Sequence, residues 1–144
     1  MKYIIERYHD ISCGHRVYNH EGKCKNLHGH NYRFNFFCEA PKLDSIGRVI
    51  DFDEIKKRLC NWLEENFDHK MLIWSEDPVF SDLQKIDSTV TSVPFNPTAE
   101  CLAEYMVKTI GPQQLKDTGI TLVKCTVNET SKCSASYIAF TEVL

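Results

Sequence analysis

His28-Gly29-His30 places two imidazoles two residues apart, with Cys24 four positions earlier and a third histidine, His15, further upstream. In a strand, residues i and i+2 point to the same face. An extended segment therefore lets His28 and His30 present ring nitrogens to one ion. A third ligand must come from an adjacent segment, and His15 is the best placed. Three protein ligands with one open position describe a catalytic zinc site rather than a closed structural one. The alternative is that Cys24 also ligates, giving a structural Cys-His₃ site.

Periodicity organises the rest of the chain. Residues 2–12 read as a strand, with Tyr3, Ile5 and Arg7 alternating against Ile4 and Glu6. Residues 28–39 read as a second strand, with Tyr32, Phe34 and Phe36 on one face. A hairpin between the two carries Cys24 in its loop and returns His15 toward His28 and His30. Asp51 caps a helix, and Glu54 stands at capping-box spacing. Phe52, Ile55, Leu59, Trp62 and Leu63 form its apolar face, which ends near Asn66. Residues 75–95 read as a long loop with one helical turn around Pro78 to Gln84. A second helix starts with Asn96 as cap and Pro97 as its first residue, and Gly111-Pro112 stops it. Residues 119–128 and 135–143 read as strands three and four. The expected architecture is a single α+β domain over residues 1–144, in the order ββααββ. It has a four-stranded antiparallel sheet and two helices on one face.

The chain's 144 residues suit one domain, and a 42% hydrophobic content supplies an ordinary core. A net charge of -3 gives no reason to expect nucleic acid or an anionic membrane as partner. No apolar run is long enough to span a bilayer. The N-terminal segment carries charge too early for a signal peptide, so a cytoplasmic location is expected. Seven cysteines, an odd count, argue against a disulfide framework. Cys38, Cys60 and Cys101 read as small buried hydrophobes. Cys24 differs, lying among Gly, Lys and Asn beside the histidines.

Two further groups carry possible chemistry. Asp68-His69 can supply an acid–base pair in which the carboxylate orients the imidazole. The plainer reading is a helix-end histidine satisfying backbone carbonyls. Glu129 continues the alternation of Val123, Cys125 and Val127, which puts a carboxylate at the end of a buried row. A ligand with two adjacent N–H donors would satisfy both of its oxygens. If the strand ends one residue early, Glu129 lies in solvent instead.

Taken together, these segments resemble the 6-pyruvoyl-tetrahydropterin synthase superfamily over nearly the whole chain. The marks are Ser12-Cys13-Gly14-His15-Arg16, Cys24 followed by His28-Gly29-His30-Asn31-Tyr32, and Val49-Ile50-Asp51-Phe52. Phe67-Asp68-His69, Asn96-Pro97-Thr98-Ala99-Glu100 and Asn128-Glu129-Thr130 complete the set. The short gap from Cys24 to His28, and Cys133 after Glu129-Thr130, resemble the branch that forms 6-carboxy-tetrahydropterin in queuosine precursor synthesis.

The resemblance implies a tunnelling fold assembled as a homohexamer, with sites between subunits. It implies zinc on His15, His28 and His30, Cys24 as catalytic base, Asp68 and His69 as its relay, and Glu129 with Thr130 binding the pterin. The implied substrate is 7,8-dihydroneopterin triphosphate, cleaved to 6-carboxy-5,6,7,8-tetrahydropterin, acetaldehyde and triphosphate. A pyruvoyl-forming enzyme and a zinc-stabilised pterin-binding protein without turnover are the alternatives. Two features depart from the family pattern. Cys13-Gly14 stands where two small residues are usual, and the segment from Ser75 to Phe95 is long. Arg16, Lys23 and Lys25 are candidates for the triphosphate by proximity.

Overall fold

In the computed structural model, which describes residues 2–139, two twelve-residue strands form a long antiparallel hairpin, β1 (Ile4–His15) and β2 (His28–Glu39). β1 runs three residues beyond the expected end at 12, because Gly14 and His15 pair on both sides. They lie opposite Gly29 and His28 on β2, and beside Met71 and Leu72 of β3 (Met71–Trp74). β3 runs parallel to β1, and β4 (Thr91–Val93) runs parallel to β3. On the other side, β5 (Thr121–Asn128) pairs with β2 and β6 (Ser134–Ile138) with β5, both antiparallel. The strand order is β4-β3-β1-β2-β5-β6.

The sheet thus has six strands rather than four, and it is mixed rather than antiparallel. The two additional strands come from residues 71–74, between the expected helix end and the expected loop, and from the segment read as a loop. Met71-Leu72-Ile73-Trp74 is an unbroken apolar run with Leu72 and Ile73 fully buried. A strand covered on both faces shows no alternation. Between β3 and β4 lies a short helix, α2 (Phe80–Ile86), at the place where one helical turn was expected. Of the expected last strand, residues 140–143 lie outside the described residues.

The two long helices do cover one face of the sheet. α1 comprises Phe52–Ile55, a π turn at Lys56–Cys60 and Asn61–Asn66, ending where the apolar stripe ends. Asp51 caps it, accepting from the Asp53 N–H at 2.9 Å. Glu54 does not close a capping box; its carboxylate receives Arg58 Nε at 3.0 Å instead. α3 comprises Ala99–Tyr105, a π turn at Met106–Ile110 and Gly111–Gln114. Leu59 and Leu63 of α1 meet Leu102 and Met106 of α3 over Tyr32, Phe34 and Phe36 of β2, all with no exposed surface. Each such side chain contributes about 1.5–3 kcal/mol of burial.

Two local readings are corrected. The cap of α3 is Thr98, whose hydroxyl accepts from Cys101 N–H at 3.2 Å, and not Asn96. Gly111-Pro112 does not stop the helix. The Gly111 N–H bonds back five residues to Met106 O, and this wider turn lifts the proline ring off the carbonyl four residues back. Gly111 is required by packing: a Cβ there would stand 2.9 Å from Leu122 Cδ2 and 2.9 Å from Met106 O.

One consequence reverses the usual rule. Gly→Ala in a helix normally stabilises by about 1 kcal/mol. Gly111→Ala should instead destabilise by about 1–3 kcal/mol through overpacking against β5, read from the urea midpoint. A variant as stable as the parent would mean that β5 yields freely at this point.

Candidate active site

The hairpin register builds the histidine cluster. His15 lies directly opposite His28, and Cys13 opposite His30. Directly opposed residues bring their Cβ atoms to about 4.5–5.5 Å, and here the ring centroids are 4.5 Å apart for His15–His28, 5.2 Å for His15–His30 and 4.9 Å for His28–His30. One ring nitrogen from each lies within 4.8 Å of the others.

The outer nitrogens fix two of the tautomers. His15 Nδ1–H donates to Pro97 O, and His28 Nδ1–H donates to Asn26 O, each at 2.7 Å. The Nε2 lone pairs of both rings then converge at 3.0 Å, a repulsive contact unless a proton or cation is shared. Burial pushes His15 and His30 below the usual imidazole value, against the pull of the Pro97 carbonyl on His15 and of Glu129 on both. Neutral imidazoles with backbone-anchored Nδ1 atoms are what a divalent metal needs. His30 Nε2 is buried without a hydrogen-bond partner among the described residues, as is the hydroxyl of Tyr32. Buried polar atoms without partners are rare and mark places where a ligand belongs. The donor set fits zinc. Sequence reasoning counted Tyr32 only as a core aromatic. Its ring stands edge-on to both His15 and His30, at 5.7 and 5.4 Å.

Glu129 follows β5 immediately. The pair Arg33↔Asn128 sets the next residue beside Tyr32, so the parity reading holds and the carboxylate reaches the cluster, 3.4 Å from His30 Nε2. Thr130 turns the chain here: its hydroxyl accepts from the N–H groups of Lys132 and Cys133, both at 3.1 Å.

Asp68 and His69 sit at the outer edge of β1. The His69 N–H donates to Ser12 O at 2.7 Å, and the Ser12 N–H donates to Asp68 Oδ1 at 3.0 Å. His69 Nδ1–H donates to Asp68 Oδ2 at 2.7 Å, so the carboxylate orients this ring and the helix-end reading does not apply. Burial raises the Asp68 carboxyl, but the His69 and Ser12 donors outweigh it and leave it below its ordinary value. His69 has φ +59° and an 80% exposed side chain. A non-glycine residue held there stores strain, as functional positions often do. Asp68, His69, His30, Glu129 and Thr130 line one cleft of about 1020 Å³.

Cys24 stands apart from that cleft. It lies half-buried in a 3₁₀ turn at Lys23–Lys25, where its carbonyl accepts from Val17 N–H at 2.8 Å. Among the described residues, no hydrogen bond joins its thiol to Asp68 or His69. The second thiol near the cluster is inert packing: burial, with Asp68 nearby, pushes Cys13 up to about 12.

Of the three basic candidates, Arg16 is committed elsewhere. Its Nε and Nη2 donate to both oxygens of Asp77 at 2.6 Å, and the Asp77 side chain has no exposed surface. Burial raises Asp77, yet the guanidinium and the Val79 N–H hold it below the usual carboxylate range. The long segment therefore locks the end of β1. Asn96 does the same, accepting from Tyr18 N–H at 3.0 Å and donating to Tyr18 O at 2.9 Å.

The profile of the family described as 6-pyruvoyl tetrahydropterin synthase matches residues 4–139. The chain is 32% identical over 128 residues to the 6-carboxy-5,6,7,8-tetrahydropterin synthase of Rickettsia conorii, covering 86% of this chain and 91% of that one. To the protein of the same name in Aquifex aeolicus it is 28% identical over 161 residues, covering 95% and 98%. Among solved structures, an uncharacterized protein from Wolinella succinogenes superposes with TM-score 0.83 at 21% identity, covering 96% of this chain and 98% of that one. Caenorhabditis elegans 6-pyruvoyl tetrahydropterin synthase gives 0.68 at 24% identity, covering 97% of each, a likeness of fold.

The Arg16–Asp77 pair yields a pH-dependent expectation. Because Asp77 is depressed in the folded chain, its contribution is full above the unfolded carboxyl value of about 3.9 and is lost as pH falls through the lower folded value. Asp77→Asn should cost about 2 kcal/mol at pH 7, less than a fully buried pair because Arg16 keeps some solvent. It should also flatten the acid limb of stability against pH. Equal urea midpoints for variant and parent across that range would show that Asp77 is not what holds Arg16.

Proposed function

The chain belongs to the 6-pyruvoyl tetrahydropterin synthase family, and from this we propose that it is a zinc-dependent lyase converting 7,8-dihydroneopterin triphosphate to 6-carboxy-5,6,7,8-tetrahydropterin, acetaldehyde and triphosphate. The carrying observation is the convergence of His15, His28 and His30 beside a carboxylate, Glu129, at the wall of one cleft. The curated relatives that bear the carboxy-forming name support the branch.

Bound by His15, His28 and His30, a zinc ion would supply Lewis acidity and ease deprotonation of a substrate hydroxyl. The chain's own residues divide the remaining work. Glu129 accepts from the neighbouring ring and amino N–H groups of the pterin, which fixes the ring's orientation. Asp68 holds the His69 imidazole with Nδ1 protonated, leaving Nε2 free to take or give a proton. Cys24 serves as the second base, from the turn that leads into His28.

The separation of Cys24 from the Asp68–His69 cleft supports a site completed by another subunit. So does the exposed, strained His69. The sheet offers two free borders for such assembly. Among the described residues, β1 has no ladder partner on its β3 side before Ser12, and β6 forms the opposite border. Open edges invite pairing, and joining them between copies gives the homohexamer of the tunnelling fold. On this reading the enzyme acts in the cytoplasm, in queuosine precursor synthesis. A pyruvoyl-forming activity, which eliminates triphosphate without releasing acetaldehyde, is the second reading.

Purified protein carrying one zinc per chain by elemental analysis, given 7,8-dihydroneopterin triphosphate, should yield the 6-carboxy product by mass together with acetaldehyde. A pyruvoyl product would establish the second reading, and absence of turnover would leave a binding protein. Cys24→Ala should retain its zinc and lose about 10²–10⁴ in kcat; loss of zinc would instead make Cys24 a ligand. Glu129→Ala should raise the dissociation constant for the pterin by about 10- to 100-fold, the worth of hydrogen bonds to a charged group, with an unchanged urea midpoint. Unaltered affinity would remove the anchoring role.

A further inference from the structure

The inward face of β2 reads His28, His30, Tyr32, Phe34 and Phe36. It passes from imidazoles to hydrocarbon, and Tyr32 stands at the junction. Its ring belongs to the core and has no exposed surface. The hydroxyl is not needed there: a phenylalanine, like Phe34 and Phe36 that follow it, would fill the same core. Ile11 lies across from Tyr32 on β1, and Phe34 is next on its own strand, with ring centroids 6.2 Å apart. Neither can accept a hydrogen bond. The polar neighbours on this face all belong to the histidine cluster. His15 and His30 meet the Tyr32 ring edge to face, and Glu129 follows the Arg33↔Asn128 pair beside it.

The Tyr32 hydroxyl and His30 Nε2 are the two buried side-chain polar atoms without a hydrogen-bond partner among the described residues. They are not scattered, but sit two residues apart on one strand face. Buried hydroxyls are nearly always paired. A cation held by the three ring nitrogens satisfies His30 Nε2 and leaves the hydroxyl as it was, because a phenol proton needs an acceptor and a metal ion is none. A three-imidazole zinc site brings one thing besides the ion, the occupant of its fourth position.

We propose that Tyr32 is a binding residue of this site, its hydroxyl donating a hydrogen bond to the oxygen, of water or of a ligand's hydroxyl or carboxylate group, that fills the position the three imidazoles leave open. This rests on the metal reading given above and adds a selectivity to it. A ligand oxygen keeps a lone pair for the hydroxyl after meeting the ion. Sulfur is a weak acceptor, so a thiol ligand gains little from Tyr32.

The test uses the full chain loaded with cobalt(II), whose visible bands report the fourth ligand, as parent and as Tyr32→Phe. Both should hold one metal per chain by elemental analysis. Acetate, titrated against the cobalt bands, should bind about 10-fold more weakly to the variant, the worth of one hydrogen bond to a charged oxygen. Ethanethiol should bind both proteins alike. A hydroxyl with a merely structural role would lower the urea midpoint and leave acetate binding unchanged, and unchanged acetate binding overturns the proposal. So does an equal loss for both ligands, which would report a displaced metal instead of a lost donor. If Tyr32→Phe does not fold, the zinc-loaded parent decides. Its Tyr32 hydroxyl proton, assigned through the protons of its own ring, should move downfield on saturation with acetate, and a fixed resonance overturns the proposal. A parent that takes up neither metal removes the metal reading and this inference together. Weakened acetate binding in a protein that makes no pterin product keeps the role of Tyr32 and removes the proposed function.

Discussion

The pairing of β1 with β2 is the constraint from which the site follows. One register sets His15 against His28, Cys13 against His30 and Ile11 against Tyr32. Because side chains alternate, a slip of β2 by one residue would turn His28 and His30 away from His15 and put Asn31 and Arg33 into the core. The hydrophobic pattern forbids the slip. Tyr32, Phe34 and Phe36 follow the histidines on the same face and are buried under α1 and α3. The core thereby aligns the imidazoles: the face that holds the fold together at one end of the hairpin converges at the other on a cluster that could hold a metal ion.

Register alone does not hold imidazoles still, and distant segments close on the end of β1 to do so. Asn96-Pro97-Thr98 divides three tasks among three residues. Asn96 clamps the Tyr18 backbone, the Pro97 carbonyl fixes the His15 tautomer, and Thr98 caps α3. Arg16, next to His15, is tied to buried Asp77 in the segment that follows β3. At Gly14 the space a Cβ would fill is taken by the end of the Met71 side chain, whose Cε stands 2.5 Å away, with His28 O at 3.2 Å, so a larger residue there would have to displace that thioether. The length of residues 75–95 has a use in this setting: it carries the carboxylate that anchors β1.

What was legible in the sequence was what has a short period. Alternation exposed both hairpin strands, the shared face of His28 and His30, and the inward position of Glu129. Apolar spacing gave both long helices. The contacts that make those side chains a site were not legible, since His15 to Pro97 and Arg16 to Asp77 span 82 and 61 residues and depend on where β3 docks. β3 escaped because a strand buried on both faces loses its period, and β4, three residues long, is too short to have one. Gly111-Pro112 was misread because it does end an ordinary α-helix; only the π turn before it permits the helix to pass. The family resemblance carried the expectation for Thr130, while Cys24 stood out already by its setting among Gly, Lys and Asn beside the histidines.

The cleft also has a charge logic that no single motif reveals. Four carboxylates line it, Asp10, Glu64, Asp68 and Glu129, and each faces its own basic group: Arg33, His9, His69 and His30. Only the arginine is a permanent cation. The other three partners are imidazoles. Imidazoles can stand neutral, so a wall of four carboxylates offers a triphosphate little attraction. On the function proposed above, Lys23 and Lys25, which flank Cys24 and do not line this cleft, are the candidates to hold the phosphates.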